Sequence, residues 1–336
     1  MKENRNVCPA RLLNIAPDGT YHLEGVRWGF EETGADRSQW VSRFKDIQVN
    51  PADIKEVYIG VEPFPPEFVA GHGQAVLEFN KPLTNRDGEQ DYRMVVSLEA
   101  WTKPGESYGL GRGLKKNFGV VYQLGTFADR VQRQARKEGR SIVLHRLNLT
   151  QEQKQAFVET SLKEALKDRT GEYYNTATNS CFGAQVANLN QILPEKDKIH
   201  RWTGWLNLPR MSATIPGTAG LVLERYHLRT TDNPVEILPD ARLHPNAKAL
   251  KAPGIVAGLS QKGWWGAATR LTGAAAGVSL GASLAGTPGA IIGGVALSYV
   301  GGVIGDHLRI VNGSDQVKPD EFYPEHLKAQ LEKPPQ

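Results

Sequence analysis

Between Glu172 and Asn190 the chain changes character within one residue. Tyr173 to Ser180 is polar and turn-forming, and beyond Cys181 the apolar residues Val186, Leu189, Ile192 and Leu193 recur at helical spacing. A helix therefore starts at Cys181, with Asn179 or Ser180 placed to accept a bond from one of its first unpaired N–H groups. Those N–H groups and the helix dipole stabilise negative charge, which pushes a thiol in the first turn toward thiolate. An activated sulfur nucleophile of this kind needs a base. The plainer reading of the same residue is a small, half-buried structural thiol.

The candidate base lies upstream. Glu56 to Val61 and Gly71 to Phe79 read as strands on either side of a Pro-containing loop, and His72 sits between two glycines at the mouth of the second. Small neighbours allow close approach to the ring. Tyr92 to Trp101 reads as the next strand, reached through a turn at Asp87-Gly88, so the two runs form an antiparallel hairpin. Pairing Phe79 with Asp91 sets His72 opposite Leu98, within a residue, and makes Ser97 or Glu99 the group that orients it. A slip of one residue exchanges the faces.

The flanking segments carry less chemistry. Arg11 to Ile15 and Tyr21 to Val26 flank Asp18-Gly19, a hairpin signal, and His22 reads as a surface strand residue. Residues 104–125 are rich in glycine, but the spacing of Gly109, Gly111 and Gly113 is not a nucleotide fingerprint, so a mobile loop beside the cleft is expected. Phe127 to Lys137 has helical character, and the basic run from Arg130 to Arg140 reads as a solvated helix face. Ser141 to Leu149 reads as a strand. Thr150 with Gln153 forms a capping box for a helix whose apolar face carries Phe157, Val158, Leu162 and Leu166. Leu221 to Tyr226 reads as a strand, and prolines at 234, 239, 245 and 253 mark residues 232–262 as a linker.

From Leu271 to Gly305 there are 35 residues without a charge, in which Gly273, Gly277 and Gly281, then Gly289 and Gly293, then Gly301 and Gly305 recur at intervals of four. Thr287-Pro288-Gly289 divides the run. Two close-packed helical arms fit this pattern, since glycines four apart let backbones touch. Trp264 and Trp265 precede the first arm, as residues of a membrane interface do. Membrane insertion and a buried soluble hairpin both remain open.

The net charge of +4 is spread along the 336 residues, so nucleic-acid binding is not expected. Two cysteines far apart, Cys8 and Cys181, form no disulfide framework. With no CxxC and no shared spacing among His200, His227 and His244, neither a metal site nor a cofactor is expected. Met1 to Pro17 has no apolar core and is not read as a signal peptide. Localisation is then at a membrane through 271–305, or by signal-independent export, with a cytoplasmic protein as the alternative.

Gly71-His72 at a strand start, a helix opened by Leu149-Thr150-Gln151-Glu152-Gln153, and Tyr174-x-x-x-x-Asn179-x-Cys181 together resemble the circularly permuted papain-like superfamily. That group includes NlpC-type peptidases and lecithin:retinol acyltransferase-like proteins, and the closest likeness is to an uncharacterised Gram-negative envelope-associated family. The likeness spans about residues 55–195. It implies an α+β fold, with an antiparallel sheet packed on helices, to which the glycine spacing adds the helical hairpin at the C-terminal side. It also implies a catalytic domain, taken over 55–231; the residue pattern itself places a β-rich extension over 1–54 before it, and the linker 232–262, the hairpin 263–310 and a polar tail 311–336 after it. By resemblance Cys181 is the nucleophile and His72 the base, with Glu99 or Ser97 as the third residue and Asn179 as a further member. Relatives place Asn directly before Cys, whereas here Ser180 intervenes. The implied activity is thiol-dependent hydrolysis of a peptide or amide, such as a peptidoglycan stem, at the bacterial envelope membrane. A lipid-ester hydrolase or acyltransferase is the alternative within the superfamily. A catalytic domain joined to such a hairpin, without a signal peptide, also suggests a secreted antibacterial effector with a secretion-system or immunity partner. Outside the enzymes, the alternative is a membrane-perturbing or scaffold protein.

Overall fold

A computed structural model describes residues 8–33, 39–63, 71–102, 108, 110–200, 202–203, 208–209, 216–239 and 315–317. The strands are β1 (Arg11–Ile15), β2 (Tyr21–Thr33), β3 (Gln39–Val49), β4 (Ile54–Pro63), β5 (Gly71–Asn85), β6 (Gln90–Trp101), β7 (Gly119–Thr126), β8 (Ile142–Arg146), β9 (Trp202–Thr203), β10 (Leu208–Pro209), β11 (Val235–Ile237) and β12 (Asp315–Val317). The helices are α1 (Leu110–Gly113), α2 (Phe127–Val131), α3 (Gln151–Ala165), α4 (Cys181–Ile192) and α5 (Ala219–Arg225). The fold is thus mixed α and β with strands in the majority.

Ten strands share one sheet, ordered β1-β2-β7-β6-β5-β4-β8-β11-β12, and β3 bridges β2 and β5. The circuit β2-β7-β6-β5-β3 therefore closes into a five-stranded barrel. Its weakest seam is the single parallel pair Arg27 with Gly125. A Cβ on Gly125 would lie 3.2 Å from the Arg27 carbonyl oxygen, so glycine permits that approach. The N-terminal strands are continuous with the rest: Leu23, Val26, Ile47 and Val49 share a core with Leu77, Met94, Phe157 and Leu189.

Alternation along β5 and β6 separates two cores. Ala75, Leu77 and Phe79, with Met94, Val96 and Leu98, enter the large core under α3 and α4. Val76 and Val95 enter a smaller one with Phe127 and Val131 of α2. The β5–β6 ladder ends at Ala75 with Val96, although both strands run on. Into this fork comes the start of α4. The Gly73 N–H donates to Cys181 Sγ at 3.3 Å, and Gln185 Nε2 donates to the Val96 carbonyl at 3.3 Å. Phe182 is fully buried against β5, a contribution of about 2–3 kcal/mol.

Several local expectations hold. Gly19 and Gly88 take positive φ at the two hairpin turns. The Thr150–Gln153 capping box forms, and α4 begins at Cys181 with Ser180 as its cap. Others are corrected. Leu83, not Phe79, pairs with Asp91, and the register carries His72 toward Glu99 rather than Leu98. The bulge responsible spans Glu78 to Leu83, where Pro82 has no N–H to give the ladder. The end of the glycine-rich run is the central strand β7, whose Val120, Tyr122 and Leu124 alternate into the core. The expected strand at 221–226 is instead helix α5, Ala219–Arg225: Ala219, Val222 and Leu223 bury one face, and His227 at φ 56 closes the turn after it. Within the expected linker, Val235–Ile237 pairs with β8 and β12. The hairpin 271–305 lies outside the described residues. No helix among the described residues is long and apolar enough to cross a membrane.

The approach of α4 to β5 yields a test. A Cβ on Gly73 would sit 2.9 Å from Phe182 Cβ and 3.1 Å from its Cα. Gly73→Ala should therefore destabilise the protein by about 1–3 kcal/mol in urea unfolding. An unchanged midpoint would show that α4 does not sit this close.

Candidate functional site

Four elements bring the site together. Cys181 is supplied by α4, His72 by β5, Ser97 and Glu99 by β6, and Tyr174 by the loop before α4. His72 Nε2 lies 2.5 Å from Ser97 Oγ and 3.3 Å from Glu99 Oε1, while Ser97 Oγ donates to Glu99 Oε1 at 3.0 Å. Both expected orienting residues are thus engaged at once. With Nε2 committed to β6, Nδ1 is the ring nitrogen left to carry a proton toward the sulfur. Cys181 is only 2% exposed, whereas the His72 and Glu99 side chains are 16% and 23% exposed, so the site opens on the side of His72 and Glu99.

The electrostatics favour an ion pair. Burial pulls the His72 pKa down, but the negative charges of Glu99 and Cys181 outweigh it and raise the imidazole to about 10. Burial pushes the Cys181 thiol up, yet the His72 charge and hydrogen bond, with the Gly73 N–H and Tyr174, bring it below its ordinary value. The Tyr174 hydroxyl accepts from the Cys181 N–H at 3.4 Å and reaches Sγ at 3.7 Å. Its own pKa is driven well up, first by burial and then by the Cys181 charge, so the phenol keeps its proton and donates.

A buried bracket lies behind Glu99. Arg130 Nη1 donates to Glu99 at 3.2 Å and its Nη2 to Glu62 Oε2 at 3.0 Å, while Arg130 Nε makes a further short contact with Glu62. Gln74 Nε2 also donates to Glu62, at 2.9 Å. Burial opposes ionisation of Glu99, but His72 and Arg130 hold its carboxyl well below the usual range. The helix that carries Arg130 is fixed in turn by the Arg27–Asp129 pair and by Asp91, which accepts from the Ala128 N–H at 3.2 Å.

Arg130 corrects the reading of a solvated basic face, since it is buried, as are Gln132, Gln134 and Ala135. Asn179 is not brought to the Cys–His pair: its side-chain amide donates to the Tyr173 carbonyl at 3.1 Å and ties the loop together. Glu62, Arg130 and the role of Tyr174 escaped the sequence reading. Tyr174 was visible in the motif before Cys181. Arg130 carried no signal, because charge spacing on a short helix does not reveal a carboxylate two strands away. Among the described residues no cluster of His, Cys, Asp and Glu has metal-holding geometry.

Residues 43–207 are similar to the Lnb N-terminal periplasmic domain. No curated protein and no solved structure matches the chain.

Two outcomes follow from the geometry. Iodoacetamide alkylation of Cys181 should have an acid limb below the ordinary thiol pKa of about 8.5. Glu99→Gln removes the carboxylate that raises His72, so the sulfur loses its cation neighbour and that limb should move up by about one unit or more. An unmoved limb would disconnect Glu99 from the thiol. Arg130→Met leaves the buried Glu62 and the partly buried Glu99 without their cation and should cost about 3–5 kcal/mol in urea unfolding. A cost under about 1 kcal/mol would show that Arg130 does not hold both.

Proposed function

We propose that this protein is a thiol-dependent acyl hydrolase of the cell envelope, with Cys181 as nucleophile and His72 as acid and base. The observation that carries the reading is the placement of His72 between the Glu99 carboxylate and a sulfur at a helix N-terminus. In the first half-reaction the thiolate attacks the substrate carbonyl carbon. Negative charge moves to the carbonyl oxygen, for which the Tyr174 hydroxyl and the Cys181 N–H are the donors at hand. The tetrahedral species collapses as the imidazolium gives its proton to the departing amine or alkoxide, leaving a thioester on Cys181. Neutral His72 then takes a proton from water, whose oxygen attacks the thioester carbonyl. Collapse releases the carboxylic acid and restores the thiolate and imidazolium.

The similarity of residues 43–207 to a periplasmic domain supports an envelope location. The uncharged, glycine-repeated run 271–305 supports attachment at a membrane. In that setting the suitable carbonyls are amides of cell-wall stem peptides and esters of lipids.

The test is turnover of a stem-peptide amide and of a phospholipid ester by wild type, Cys181→Ala and His72→Ala. Each variant should lose at least about 10³-fold in kcat/KM on the substrate that wild type cleaves. A rapid quench with that substrate should also show its acyl group on Cys181 by peptide mass. Full activity in both variants would refute a Cys–His enzyme.

A further inference from the structure

Three of the large exposed apolar side chains gather beside the site. Trp101, 40% exposed, ends the strand that carries Ser97 and Glu99, and it faces the same side of the sheet as they do. Its pairing partner is Gly119, which in turn bridges to Tyr173, 47% exposed and next in sequence to Tyr174. Trp101 and Tyr173 thus stand on one face with only a glycine between them. Leu114, 56% exposed, is held to the same loop because its carbonyl accepts from Asn175 Nδ2 at 3.1 Å.

Among the described residues, the charge around this patch is basic. Lys115 and Lys116 are exposed, and Lys116 Nζ lies 5.9 Å from the centre of the Tyr173 ring. Neither lysine is matched by a carboxylate among the described residues. The nearest acid in the loop, Glu172, is itself paired with Arg169 at 3.1 Å. A tryptophan, a tyrosine and a leucine rimmed by exposed lysines match the amphipathic, anionic surface of a phospholipid bilayer: rings and leucine at headgroup depth, ammonium groups on phosphates.

We infer that this patch docks the protein on an anionic membrane with the mouth of the Cys181–His72 site turned toward the lipid. The inference uses the proposed thiol site only to say what is being oriented, and docking itself needs no chemistry. It is also separate from any membrane contact made by 271–305.

The experiment is flotation of the full chain with phosphatidylglycerol-containing vesicles and with pure phosphatidylcholine vesicles. Wild type should float with the anionic vesicles and much less with the zwitterionic ones. Lys115→Gln with Lys116→Gln should weaken anionic binding by about 25-fold, about fivefold per lysine. Trp101→Ser should weaken it by about tenfold, with unfolding midpoints confirming that both variants fold. Cys181→Ala should float like wild type, so loss of the thiol reading would leave this result untouched. The inference is overturned if wild type stays with the soluble fraction, which would leave an acidic protein face as the occupant. It is equally overturned if the lysine and tryptophan variants float as wild type does, which would assign membrane binding to another segment.

Discussion

Arg130 sits between two carboxylates, and the chemistry of the site depends on that arrangement. One buried and one partly buried carboxylate with one arginine leave a net negative charge, and it is delivered to the imidazole through Glu99. A buried ion pair is not in itself a large source of stability. Its value here is positional: Glu62 is fixed on β4 by Gln74, Arg130 is fixed on α2, and Glu99 is left with little freedom except to face His72. The imidazolium then compensates the desolvation that would otherwise keep a buried thiol protonated.

The sheet makes this possible by parting. Where β5 and β6 stop pairing, a backbone N–H and a carbonyl become available, and α4 takes both, one through the Cys181 sulfur and one through Gln185. The helix start is therefore registered against the strands to within a hydrogen bond. Glycine at 73 is what lets Phe182 lie directly on the backbone. Cys181 and His72 thus approach from opposite sides of the fork, and the closed barrel beneath keeps the two strand ends from drifting.

Legibility in the sequence followed the range of the forces involved. Features set by neighbours in the chain were readable: the Asp18-Gly19 and Asp87-Gly88 turns, the Thr150 capping box, and a helix that starts at Cys181. Pairing across a hairpin was readable to within a residue, since the bulge around Pro82 shifts the register but keeps Ser97 and Glu99 beside His72. What failed was long-range or short in signal. The barrel closes through one Arg27–Gly125 pair and two pairs between β3 and β5, and the Arg130–Glu62 contact joins residues 68 apart. The brief apolar run at 221–226 could not be divided between strand and helix by pattern.

The central claim is that Cys181 rests as a thiolate beside a protonated His72. The difference in ultraviolet thiolate absorbance between wild type and Cys181→Ala, followed over a pH titration, measures this directly and subtracts Cys8. A thiolate signal that titrates with its midpoint below the ordinary thiol pKa of about 8.5 is the predicted result. A signal that appears only at or above that value would contradict the account.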